Sequence, residues 1–328
     1  CDACLDGDIE LNKHDWHWEA GDNYNKWDAT SRGTGNSNLI NLKNALGPSC
    51  INAQGVGQCG TADDPISLSS CVPFNILAGP GAAGNAAALK YINALTLSRQ
   101  SSEVKQYTAN IGGGLFNLPA GEVQFAFGFE HRDLSGYDQP DSMSSAGYTS
   151  DLASQPTDGS YHANEFYGEL NIPVLADLPG AKKLNVDVQS RYSDYSNGIG
   201  TMFRTKYSFV YQPFDDLMFR GTYAQGMRAP ALMDTFGGGS QTFSGYTDPC
   251  DSKFGATANP QVAAACRQAG LGSNFRQTDA NGKPVTQAGA QPPSAYLSGV
   301  GNAGLKPETS ISRSLGLVYS PSYVPGLN

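Results

Sequence analysis

The sequence predicts an all-β chain, part of an antiparallel transmembrane β-barrel with long extracellular loops. Three observations predict it. Successive segments alternate apolar with small or polar side chains, which is the period of a strand lying between lipid and a wet lumen. Short turns alternate with much longer loops, and most of the long ones fall on one rim. No stretch reads as a spanning helix: the nearest candidate, Phe74–Leu97, is interrupted by Pro80, several glycines and Lys90. Alternation alone also suits a half-buried strand of a soluble sandwich. A sandwich, however, scatters its loop lengths more evenly and does not need loops this long.

The 328 residues carry a formal net charge of −9, which argues against nucleic-acid binding, since that usually wants a basic stripe. Glycine, at 39 residues, and tyrosine, at 16, suit a β-rich chain with long loops and interfacial aromatics. Seven cysteines fall in local groups: Cys1 and Cys4; Cys50, Cys59 and Cys71; Cys250 and Cys266. Grouping inside Gly- and Pro-rich loops favours disulfide staples in an oxidising compartment. Cys250, Cys266, Cys50 and Cys59 are the disulfide candidates. The first two bracket Pro260–Ala265, a stretch able to form one or two helical turns, and their loop length suits a bond that guards the loop against proteolysis. The chain opens at Cys1 and stops at Asn328 just after a turn, so it is expected to be an internal piece of a longer protein.

Taken in order, the first strand is expected at Asp15–Trp27, with Trp16, Trp18, Ala20 and Tyr24 on one face. Asp22 falls on that same face, where a carboxylate at mid-membrane depth is costly, so either a bulge resets the register or the assignment fails. A long loop, Thr30–Ser102, follows. Glu103–Phe116 then puts Tyr107, Ala109, Ile111, Gly113 and Leu115 outward, and the turn Asn117–Gly121 leads to Val123, Phe125, Phe127 and Phe129. After the loop Leu134–Ser160, Phe166, Gly168, Leu170 and Ile172 face out, and Pro173–Lys182 turns into Leu184, Val186 and Val188. Met202–Gln212 and Leu217–Met227 form the next hairpin through Pro213–Asp216. The loop Ala229–Pro307 ends in a strand at Glu308–Ser320, before a turn at Pro321–Leu327. That makes about eight strands with two open edges, so the isolated piece is not expected to fold into a stable barrel. Tyr192, Tyr195, Tyr211 and Tyr319 sit near strand ends, as an aromatic belt requires.

Four segments carry a resemblance to a known family: Phe219–Pro230 (FRGTYAQGMRAP), Tyr167–Ser196 (YGELNIPVLADLPGAKKLNVDVQSRYSDYS), Asn302–Ser320 (NAGLKPETSISRSLGLVYS) and Cys71–Gly81 (CVPFNILAGPG). Together they resemble the TonB-dependent outer-membrane receptors. Met227 stands where an aromatic is usual, and Ala303–Gly304 replaces a frequent Pro-containing pair. The resemblance implies a barrel of about 22 strands closed by an N-terminal plug. Residues 1–328 would then be part of that single barrel domain, with the plug and the C-terminal strands lying outside them. It further implies capture of a scarce extracellular ligand (a siderophore, vitamin, saccharide or peptide) in the bacterial outer membrane. Import would draw energy from a TonB–ExbB–ExbD complex that engages a TonB box in the missing N-terminal region, and outer-membrane lipid would surround the barrel. A passive porin and a secreted adhesive β-protein are the alternatives. No family ligand residue carries over, because ligand contacts vary with the loops.

The inward charged positions are Glu130, Arg132, Glu165, Glu169, Asp187, Arg191, Arg204, Lys206 and Arg220, and for most of them a solvated lumen wall is the expected role. The ligand-binding candidates lie near the outer rim and in the loops: Tyr195, Arg228, Phe236, Phe243 and Tyr246. Gly79–Gly84 matches a dinucleotide-type G-x-G-x-x-G, but Pro80 removes an N–H that could face a pyrophosphate, so a Gly-rich outer loop with a short helix is expected there. Cys1–Cys4 has no second C-x-x-C to complete a zinc site, and His14 and His17 would point to opposite faces of a strand. With no nucleophile motif in the chain, neither enzymatic activity nor a metal nor a cofactor is expected.

Overall fold

The computed structural model describes residues 3–279, 281–290 and 295–322. The first hairpin joins β1 (Ala3–Leu11) to β2 (His14–Gly33) through Asn12 and Lys13. Both turn residues have positive φ, 53° and 66°, as a tight hairpin matched to strand twist requires. The excursion 34–95 contains α1 (Leu39–Ala45), β3 (Ser49–Ile51), β4 (Gly57–Cys59) and α2 (Ala86–Ile92). Then come β5 (Thr96–Leu118) and β6 (Gly121–Gln139), a loop with α3 (Ser142–Ser145), and the run β7 (Thr157–Leu178), β8 (Ala181–Tyr195), β9 (Gly200–Phe214) and β10 (Leu217–Arg228). The last excursion holds α4 (Leu232–Phe236), β11 (Gly238–Thr242), α5 (Pro260–Gln268) and β12 (Tyr296–Val300), and β13 (Glu308–Tyr319) follows it.

Nine strands form one open antiparallel sheet in the order β1-β2-β5-β6-β7-β8-β9-β10-β13, every neighbour being the next long strand in sequence. The sheet does not close on itself, as befits part of a barrel. Among the described residues this sheet has one strand more than the alternation suggested, and two short ribbons, β3-β4 and β11-β12, lie in the excursions. β1 was missed because Asp6, Asp8 and Glu10 on its polar face outweigh Leu5, Ile9 and Leu11 in a nine-residue segment. The turn expected at Pro321–Leu327 extends outside the described residues. Bulges interrupt the ladders at Gly114/Phe116, Pro173/Leu175 and Leu217/Phe219, all close to the short-turn rim. Pro173 lacks an N–H, and the bulge is where a strand tolerates that loss.

The register resolves the Asp22 conflict without a bulge. β2 pairs continuously with β5 from Trp16↔Gly113 to Gly33↔Thr96, and Asp22 lies opposite Tyr107. β2 is 20 residues long, whereas about 9–11 tilted residues cross a bilayer. Asp22 is the ninth residue from the short-turn rim, which puts it at the far boundary of the apolar band. Its row continues through Tyr107 to His131 and Asn164, and that row is polar or amphipathic. The rows below it hold Trp18, Ile111 and Phe127, then Ala20, Ala109, Phe129 and Phe166. Bare apolar side chains continue across the sheet; Phe127 is 49% exposed and Leu315 80%. In water such a face would be a liability, and in a bilayer lipid covers it.

The three long loops are tied to one another on the opposite rim. Ser37 and Asn38 of the first excursion bridge Asn93 and Thr149, and Leu39 N–H donates to the Tyr148 carbonyl at 2.9 Å. On its other side the loop 140–156 binds β11: Gln155 N–H donates to Gly239 O at 2.9 Å, and Gln241 N–H to Ala153 O at 2.8 Å. Buried apolar residues, among them Ala45, Ala88, Ile92 and Ala94, pack the first excursion. Asn85, 2% exposed, clamps the Gly-rich turn by donating to the carbonyls of Asn75 and Gly79, each at 2.8 Å.

Two disulfides brace these loops, Cys59–Cys71 and Cys250–Cys266, with Cα separations of 6.1 and 5.7 Å. Cys50 is corrected from a disulfide candidate to a free thiol. The β3–β4 register sets Cys59 opposite Ser49 and Cys50 opposite Gln58, so the two sulfurs leave opposite faces of the ribbon, and Cys71 takes the buried Cys59 instead. Cys4 is disulfide-bonded as well, while Cys1 lies outside the described residues.

Candidate functional site

Strand alternation sends Glu130 and Arg132 of β6, Glu165 of β7 and Arg191, Ser193 and Tyr195 of β8 to the inner face. Register brings Glu130 directly opposite Glu165, an arrangement of like charges that destabilises a sheet unless cations intervene. Two arginines do so. Arg191 Nη2 donates to Glu165 at 2.6 Å and to Glu130 at 3.4 Å; Arg132 Nη2 lies 3.2 Å from Glu165 and 3.5 Å from Glu130. Two carboxylates and two guanidinium groups therefore form a square with no net charge. Glu165 is 2% exposed and is satisfied further by hydroxyls, Ser193 at 2.6 Å and Tyr195 at 3.3 Å. Burial of a carboxylate is tolerable only with such a complement of donors.

Below this square the Arg191 guanidinium sits over the Tyr167 ring, 5.3 Å from its centroid, and the Tyr167 hydroxyl donates to Asn110. A second polar group follows: Gln189 donates to Asp187 at 2.9 Å, and Lys206 reaches Gln189 at 3.5 Å. Between the groups opens a concavity of about 600 Å³ whose walls include Glu165, Tyr167, Arg191, Tyr195, Arg204 and Lys206. It presents the guanidinium groups of Arg132, Arg191 and Arg204, the Lys206 ammonium, the carboxylates of Glu165 and Glu169 and the phenol edges of Tyr167 and Tyr195. Such a wall can hold a polar surface by hydrogen bonds.

Of the five residues singled out in the sequence, only Tyr195 lines this concavity. It is 7% exposed and points inward to Glu165, so it is no part of a lipid-facing belt. Tyr192, three residues earlier, faces outward beside Phe166 and Phe203. Arg228 is held at the loop root by Glu308 at 2.9 Å and Asp234 at 3.5 Å. Phe236 closes α4 with its ring packed on Gly159 of β7. Phe243 and Tyr246 stand exposed in the last excursion, and Tyr246 meets Tyr296 edge-on at 5.9 Å. The central member of the site, Glu165, was placed inward by alternation but was grouped with the solvated wall. The available signal was the i, i+2 run Arg191-x-Ser193-x-Tyr195, which sets three donors on one face of one strand.

In the last excursion Asp251 is fully buried. It accepts from the backbone N–H groups of Lys253, Phe254 and Gln277 and from Arg276 Nε at 3.1 Å. Burial alone would raise its pKa, but these donors outweigh burial and hold the carboxyl well below the usual carboxylate range.

Comparison with known proteins agrees with this architecture. The family model described as TonB dependent receptor-like, beta-barrel matches residues 5–326. No curated protein matches the chain. Among solved structures, the siderophore receptor PirA from Acinetobacter baumannii aligns at 15% identity and a TM-score of 0.45, over 97% of this chain and 32% of that one. The siderophore receptor PirA from Pseudomonas aeruginosa aligns at 14% identity and a TM-score of 0.38, over 97% of this chain and 43% of that one. The chain thus spans less than half the length of either receptor. With a polar inner wall, a bare apolar outer face, long loops on one rim and a family match over almost its whole length, this chain belongs to the TonB dependent receptor-like β-barrel family.

Proposed function

We propose that this chain is the part of an outer-membrane receptor that forms one wall of the barrel and part of a ligand-facing loop array. The receptor captures a scarce extracellular ligand, such as a siderophore, vitamin, saccharide or peptide, and imports it with energy supplied through a TonB–ExbB–ExbD complex. The observation that carries the reading is the family match over residues 5–326, joined to three loops that bind one another above the polar inner wall. Mutual hydrogen bonds and two disulfides pre-organise those loops, which lowers the entropic cost of closing on a small ligand. A plug domain and a TonB box outside these residues complete the proposal.

The test uses the full-length gene in a host lacking its own receptors, with ferric hydroxamate, ferric catecholate, cobalamin and maltodextrin as probes. Uptake of one probe that disappears when TonB is deleted supports an energised receptor. TonB-independent leakage of several small solutes, together with swelling of reconstituted liposomes in sugar, would establish a passive pore instead.

A further inference from the structure

Three arginines line the inner concavity, and among the described residues only two of them pair with a carboxylate. Arg132 and Arg191 share Glu165 and Glu130. Arg204 of β9 stands directly opposite Arg191, an arrangement of like charges that no acid of its own offsets. Its Nη1 donates to the Phe203 carbonyl at 2.9 Å, and its Nε is shut off from solvent with no acceptor. A guanidinium has five N–H donors, so most of those on Arg204 have no protein acceptor among the described residues. Lys206 is placed differently: its row runs through Gln189, which it reaches at 3.5 Å, to the carboxylate of Glu169.

We propose that Arg204 makes this wall selective for an anionic ligand, one bearing a carboxylate or a phosphate, and meets it in transit rather than at capture. The proposal rests on the receptor reading above and narrows its ligand class. Depth places the contact in transit. Phe203 belongs to the outward row of Phe166 and Tyr192, inside the apolar band, so Arg204 lies at membrane depth below the loops. Space is available there. The concavity measures about 600 Å³, within the range of small-molecule sites. Beside it the wall is low, because β10 and β13 turn Thr222, Ala224 and Gly226, and Ser310, Ser312 and Ser314, toward the lumen. Charge selects the chemistry. A guanidinium grips a carboxylate or a phosphate through paired N–H donors, and an anion held there also offsets the repulsion between Arg204 and Arg191.

The experiment expresses the full-length gene in a host lacking its own receptors and measures surface binding and uptake separately. Ferric citrate and ferric rhizoferrin are the carboxylate probes, glucose 6-phosphate is the phosphate probe, and ferrichrome and maltohexaose are the uncharged ones. TonB-dependent uptake of an anionic probe is expected, and the probe that crosses tells carboxylate from phosphate. Arg204→Gln should slow that uptake about tenfold, the effect of losing one charge-assisted contact, while surface binding changes by less than about twofold. Arg204→Lys keeps the charge and should restore part of the rate. The Gln variant should unfold no earlier than wild type on heat-modifiability gels, since Arg204 pairs with no acid of the wall. Equal uptake by wild type and Arg204→Gln, a loss of surface binding as large as the loss of uptake, or earlier unfolding of the variant overturns the proposal. So does the failure of every anionic probe to cross. The two readings fail differently: TonB-dependent uptake of an uncharged probe alone keeps the receptor and removes the anion selectivity, whereas TonB-independent entry of all the probes removes both.

Discussion

Asp22 of β2 lies directly opposite Tyr107 of β5, in the row where the apolar band ends. Depth is therefore the variable that sets the cost of a charge on this face. Ile111 lies opposite Trp18, the fifth residue of β2 and close to mid-membrane. Ile111→Arg should cost about 2–4 kcal/mol and Asp22→Arg no more than about 1 kcal/mol. Urea titration of the full-length barrel refolded into vesicles measures both. Equal losses would mean that the membrane does not end at Tyr107.

The Glu165 square predicts an asymmetry. Glu165→Ala leaves two arginines sharing Glu130, with Ser193 and Tyr195 deprived of their acceptor, and should destabilise by about 1–3 kcal/mol after discounting for the half-exposed guanidinium groups. Arg191→Ala leaves Glu165 still served by Arg132, Ser193 and Tyr195, and should cost less. A double-mutant cycle in the full-length protein would show coupling of about 0.5 kcal/mol or more, and strict additivity would refute a shared network.

Asp251 predicts how the last excursion responds to acid. Its folded pKa lies below the unfolded value of about 3.9, so its contribution is fully present above that value and declines as the pH falls below it toward the folded pKa. Hydrogen exchange of residues 248–277 should be flat from pH 7 to about 5 after correction for intrinsic rates, and protection should fall below about 4. Asp251→Asn should lower protection at neutral pH and erase that acid step. A wild-type step of unchanged size in the Asn variant would show that another group is responsible.

Gly159 predicts control of the loops from the strand. A Cβ there would overlap the Phe236 ring, so Gly159→Leu must lift α4 from β7 at a local cost of about 1–3 kcal/mol. Limited trypsin digestion should then cut faster after Arg228, Lys253 and Arg267, while the sheet stays resistant. Unchanged loop cleavage would mean that the Phe236 contact does not anchor the excursion.

The strands were legible because lipid and lumen impose opposite solvation on successive residues. Phe125, Phe127 and Phe129 declare their face without any partner being known. β1 was not legible, because three acids in nine residues look like a polar loop until β2 supplies Trp16, Trp18 and Ala20 beside it. Likewise Cys50 and Cys59 looked equivalent by spacing, and only the ribbon register separated them.

The sequence by itself determined the class of fold, the inward and outward faces and the alternation of short turns with long loops, since all three follow from local period and composition. Only the tertiary structure decided that Asp22 sits at the membrane edge, that Glu165 is buried between two arginines, and that loop 140–156 ties its two neighbours together. Those facts depend on which residue of one strand stands beside which residue of the next. Cross-strand register is set by the whole ladder of backbone hydrogen bonds, and a single strand's period carries no record of it.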